Sequence, residues 1–126
     1  MDDSILNSIK SIIGLSIDDD AFDPELLMLI NSTIMALQQI GVGPQDKLFH
    51  VDDKFTTWTE YLEDSDELPM VKTYIGLRVR LIFDPPQSSS LDQALRMEVA
   101  EYEWRLNVKV DKYVDKETTE EGDDDE

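Results

Sequence analysis

The sequence predicts an all-α protein, a small antiparallel bundle of four to five helices, with a short loop or hairpin region in the middle and an extended C-terminal segment. Three observations carry this. Apolar residues recur every three to four positions over four stretches, each stretch is bracketed by capping and stopping residues, and 126 residues make one ordinary domain with no room for a second core. Residues 1–107 are expected to form the helical domain and 108–126 the extended segment and an unordered acidic tail.

Ser4 can cap a first helix over 4–13, with Ile5, Ile9, Ile12 and Ile13 at helical spacing and Gly14 where a helix commonly ends. Asp18, Asp19 and Asp20 follow in a loop. Asp23 then serves as an N-cap and Pro24 as the first residue of a second helix, over 24–40. That helix, PELLMLINSTIMALQQI, is apolar on most sides, the pattern of a buried central helix. Residues 41–67 mix turn residues with single aromatics. KLFHV and KFTTW could pair as a hairpin across Asp52 and Asp53, or TWTEYL could form one or two helical turns. A further helix begins near Leu68 and Pro69 and carries Val71, Tyr74, Ile75, Val79 and Ile82 on one face. It stops by Phe83, because Pro85 lacks an amide hydrogen and biases Asp84 away from helical geometry. Ser90 and Gln93 form a capping-box pattern opening a last helix over 91–107, with a core stripe of Leu91, Leu95, Val99, Tyr102 and Leu106. Asp92 with Arg96 and Glu101 with Arg105 stand four apart and can pair on its surface.

The charge balance is lopsided: 11 basic residues against 29 acidic ones leave a formal net charge of −18. Such a chain repels nucleic acid and anionic membranes. Cysteine is absent, which removes disulfides, thiolate zinc sites and thiol nucleophiles and fits synthesis inside a cell. The start, MDDSILNSIKSIIG, is acidic where a signal peptide needs positive charge, and no apolar run reaches membrane-spanning length, so a soluble, unprocessed chain is expected.

Catalytic constellations are missing. His50 stands without a nucleophile nearby and reads as a partly buried structural histidine. Counted from Asp18, the sixth position of a calcium loop would be Asp23 in place of glycine and the twelfth Leu29 in place of glutamate, so the aspartates read as a solvated capping loop. No enzyme, metal or cofactor is expected. Two features remain as interaction candidates. Arg78 and Arg80 are two apart, about 200° around a helix, so they reach different neighbours. Either Arg80 pairs with Asp84 while Arg78 lies on the surface, or the two arginines reach acids on a neighbouring subunit. Met97, Ala100 and Trp104 form a second apolar stripe, which could widen the core or contact another subunit.

The run MVKTYIGLRVRLIFDPPQSSSLDQAL, followed by EYEWRLN, resembles the pattern of the phage head-tail connector (adaptor) proteins of the gp6-like family; INSTIMALQQIGVGP and Trp58 are similar to that family's middle portion. The resemblance covers about residues 5–107. It implies a virion structural protein at the head-tail interface, made in the host cytoplasm: a subunit of a dodecameric ring that joins the portal of a filled head to a downstream head-closure or tail-completion protein. It also implies that helix 69–83 is the central packing helix, that the Pro-Pro-Ser turn lays the last helix antiparallel beside it, and that DNA passes the acidic channel without specific binding. The interface positions expected are Arg78, Arg80, Met97, Trp104, Arg105, Val108, Val110, Tyr113 and Val114.

Residues 107–114, NVKVDKYV, alternate as an extended strand would, with Val108 and Val110 to one side. They could stay unpaired, prolong the last helix by a turn, or add as a strand to a sheet edge on the portal or a neighbouring subunit. Residues 108–126 hold three lysines and nine acids, a net of −6. The alternative function, from a different class, is an acidic DNA-mimic inhibitor of a host nucleic-acid-binding enzyme. Carboxylates spaced regularly along one face would mark that function, whereas here they cluster in loops and the tail.

Overall fold

In the computed structural model, residues 3–63 and 65–124 are described, with side chains as far as Asn107. Five helices follow one another: α1 (Ile5–Ile13), α2 (Asp23–Gln39), α3 (Trp58–Leu62), α4 (Leu68–Phe83) and α5 (Ser89–Asp124). No strand occurs among the described residues. One isolated antiparallel bridge, Ser4 with Thr57, ties the start of the chain to the loop before α3.

The ends of α1 form as their residues dictate. The Ser4 hydroxyl accepts from the Asn7 amide at 3.1 Å, and Gly14 closes the helix in the left-handed region at φ 86°. Helix α2 starts one residue earlier than expected. Asp23 is its first residue and not its cap, because its carboxylate is taken by the Lys10 ammonium at 2.6 Å. Lys10 is only 2% exposed. A buried cation needs such a partner, and this pair joins α1 to α2.

The central element is α4, which packs against α1, α2 and α5. This is the place the family resemblance gives it, and it displaces α2, whose all-round apolar composition pointed to the centre. Helix α2 buries Leu26, Ile30, Ile34 and Leu37 and leaves Met28 and Met35 in solvent. Each fully buried aliphatic side chain contributes about 1.5–3 kcal/mol. Gly76 lets α1 pack closely on α4: a Cβ there would lie 2.6 Å from Cγ2 of Ile12. Helix α4 ends at Phe83, as the two prolines require.

Residues 41–57 make no hairpin. The backbone partners that a second strand would have supplied come instead from two amide side chains of α2, seven residues apart and so on one face. Asn31 accepts from the Val51 amide at 2.7 Å and donates to the Val51 carbonyl at 3.0 Å. Gln38 accepts from the Phe49 amide at 3.0 Å and donates to the carbonyls of Pro44 and Lys47 at 2.7 and 2.9 Å. The helical alternative for TWTEYL is what forms, as α3, with Trp58 fully buried and its indole donating to Ser8 at 2.9 Å. His50 is solvent-exposed, contrary to the partly buried position expected, with Nδ1 3.0 Å from Asp52 and Nε2 3.3 Å from Asn31.

Helix α5 is capped two residues before the expected box: the Ser88 hydroxyl accepts from the Leu91 amide at 3.4 Å and its carbonyl from Asp92 at 2.9 Å. Its backbone then runs as helix to Asp124. Of the readings open for 107–114 the prolonged helix is the one that forms, and it runs well beyond one turn; the structure differs here from the extended segment expected over 108–114 and the unordered tail expected from 115, of which residues 125 and 126 lie outside the described residues. The physical reason is propagation. No proline follows Pro86, the only late glycine is Gly122, and each valine costs at most about 0.7 kcal/mol against alanine, too little to halt a ladder already nucleated. At 36 residues α5 is about 54 Å long, against about 24 Å for the 16 residues of α4.

Candidate functional site

The serine-rich turn brings α5 back alongside α4, and one polar network locks the two. The Tyr74 hydroxyl donates to Glu103 Oε2 at 3.0 Å and accepts from Arg78 Nη1 at 2.7 Å, while Arg78 and Glu103 stand 4.0 Å apart. Burial pushes the Tyr74 phenol above its ordinary value and Glu103 adds to this, with Arg78 opposing. Arg78 is therefore engaged within its own chain, with its side chain still 37% exposed. Arg80 is half-buried and has no ion pair among the described residues; Asp84 meets it only through a backbone bond to the Arg80 carbonyl at 2.8 Å. The intramolecular pairing considered for Arg80 is thus absent.

On α5 the two spaced pairs form as predicted, Arg96 with Asp92 at 2.8 Å and Arg105 with Glu101 at 2.6 Å. Leu95 and Leu106 are buried, Val99 and Tyr102 half-buried, and Leu91 is exposed. Met97 and Trp104 are 67% and 65% exposed. Two turns apart, they lie about 180° around the helix from the buried stripe, so they do not widen the core. Arg96 flanks them on one side and Arg105 on the other. Val108, Val110, Tyr113 and Val114 belong to the helical backbone of α5, but their side chains lie outside the described residues.

A second apolar surface was missed by sequence reasoning. Leu15, the start of α2 and the end of α4 enclose an open groove of about 610 Å³, walled by Phe22, Met28 and Ile82 with Glu25 and Asp84 among its lining. Phe22 meets Phe83 edge to face at 5.2 Å, which fixes the wall. Ile82, placed by periodicity on the core face of α4, is 60% exposed. It sits in the last turn, where the chain stops before a neighbour can cover it. Met28 gave the one readable signal, falling three residues after Glu25 and off the face of Leu26 and Ile30.

Among the described residues no three histidine, aspartate or glutamate side chains converge as a metal site, and no helix is long and apolar enough to cross a membrane. A family model described as phage connector protein matches residues 5–113. No curated protein and no solved structure matches the chain.

Proposed function

The chain belongs to the phage connector protein family and has a structural connector role in the phage particle; from that premise we propose that it is the head-tail connector (adaptor) subunit of a tailed phage or prophage, forming a ring under the portal. The ring is a dodecamer. It joins the DNA-filled head to a downstream head-closure or tail-completion protein, at the head-tail interface of the virion. The observation that carries this reading is the extent of the family match, which takes in all of α1 to α4 and α5 as far as Tyr113.

The charge supports the same function. Twelve chains of net charge −18 place on the order of two hundred negative charges around a channel, and DNA slides past such a wall because phosphate binding needs cations. Arg80, Met97, Trp104 and Arg105 serve subunit contact, whereas Arg78 acts inside the chain. Val108, Val110, Tyr113 and Val114 dock on the portal or a neighbouring subunit, as part of a helix and not as an added strand. The DNA-mimic alternative gains no support from the family match.

The test is to mix the purified protein with portal rings and look for a stacked ring by electron microscopy. The chain truncated after Asn107 is expected to lose portal binding while the melting of its helical body stays nearly unchanged. A truncated protein that still docks with full affinity assigns attachment to the body instead.

A further inference from the structure

We infer that the outer face of α5, centred on Met97 and Trp104, seats in the Phe22, Met28 and Ile82 groove of the next copy of this chain. This deepens the ring reading and rests on it. A closed ring above two members needs a head-to-tail contact in which two different surfaces of the same chain meet, since a surface that meets its own copy stops at a dimer. The two surfaces named are different, and both are apolar and exposed.

Charge complementarity selects a second copy as the occupant. On a chain of net charge −18 any contact between copies must set cations against acids. The only basic residues of α5 up to Asn107 are Arg96 and Arg105, 61% and 51% exposed, one on each flank of the Met97 and Trp104 face. The polar side chains lining the groove are Glu25 and Asp84, both acidic, and neither has an ion pair among the described residues. Seating the tryptophan sets the arginines of one copy, which also hold Asp92 and Glu101 of their own helix at 2.8 and 2.6 Å, against the carboxylates of the next, and an arginine fork can bridge two carboxylates. A tryptophan flanked by arginines, entering an apolar recess, is the composition of an interface anchor.

The chain has no cysteine, so introduced thiols report contacts without background. Met97→Cys and Met28→Cys, both at exposed positions, are made separately and together and treated with a short bismaleimide, with Ile82→Cys as a second groove position. The expected result is a heterodimer only when the single variants are mixed, and a ladder of oligomers from the doubly substituted chain. Reversing both arginines to glutamate is expected to lower cross-linking at least tenfold, and adding Glu25→Arg and Asp84→Arg in the same chain to restore it. Cross-linking of Met97→Cys with itself alone would show a two-fold pairing of α5 and overturn the proposal. So would absence of cross-links as the protein concentration is raised. A discrete ring by native mass measurement without these cross-links leaves the ring reading standing and refutes this contact; an open ladder that never closes does the reverse.

Discussion

Gln38 is the side chain whose replacement tests the account of the central loop most directly. Its amide is 9% exposed and makes three bonds to the main chain of residues 44–49. In Gln38→Ala the Phe49 amide and the Lys47 carbonyl lose those bonds, while the Pro44 carbonyl keeps a 3.4 Å contact from Gln45. At roughly 1 kcal/mol for each bond, and more for a group left buried, the variant should lose about 2–3 kcal/mol and melt about 10 °C lower. Gln38→Glu sharpens the test. It keeps the acceptor for Phe49 but turns a carboxylate oxygen toward two carbonyl oxygens, which favours the neutral acid in the fold. Its folded pKa is then raised above the usual value of about 4.3, so the variant's stability relative to the parent holds below that pH and falls as pH rises through the folded pKa. Urea melts followed by the fluorescence of the buried Trp58, at pH 4 and pH 7 beside the parent, measure both effects. A Gln38→Ala loss below 0.5 kcal/mol, or a Gln38→Glu deficit equal at the two pH values, would refute the idea that this amide replaces a strand.

Other outcomes follow from the remaining buried polar groups. Asp23→Asn, which strands the buried Lys10 ammonium, should cost about 3 kcal/mol or more, whereas Lys10→Met should cost much less; paired chemical denaturation measures the asymmetry. Burial raises both Tyr61 and Tyr74 above the ordinary phenol value of 10.0, so stability should be level up to about pH 10 and decline as pH rises through the folded values, with Tyr61→Phe removing part of the decline in alkaline melts. Gly76→Ala places a methyl 2.6 Å from Ile12 and should destabilise by about 1–2 kcal/mol despite better helix propensity, and Ile12→Ala in the same chain should recover part of that in thermal melts.

Where order came from residues close together in sequence, it was legible. Ser4 and Gly14 bounded α1, Pro85 and Pro86 ended α4, and the pairs Asp92 with Arg96 and Glu101 with Arg105 fell at their predicted spacing. What escaped depended on distant partners. Lys10 reads as an ordinary surface lysine until Asp23 is brought beside it. The β-prone pieces around Phe49 and Val51 left a hairpin open beside the helical reading of TWTEYL, because nothing local shows that Asn31 and Gln38 occupy their hydrogen-bonding groups. Of the two exposed apolar surfaces, the stripe of Met97 and Trp104 was legible from spacing, but the groove was not, since its walls come from three separate parts of the chain.

The grip of Asn31 and Gln38 on the loop has an evolutionary corollary. Both amides hold main-chain atoms, which every residue type carries, so the course of residues 44–51 is set largely from α2, while Gly41 and Gly43, at φ 99° and 95°, and the Gln45 side chain fix where the loop begins. Phe49 and Val51 are constrained because their side chains enter the core, but exposed neighbours such as Leu48 and Phe55 are not used by the scaffold. Lineages descending from this chain can therefore rewrite those outward positions without refolding the loop, and divergence there should outpace divergence at the two amides that steer it.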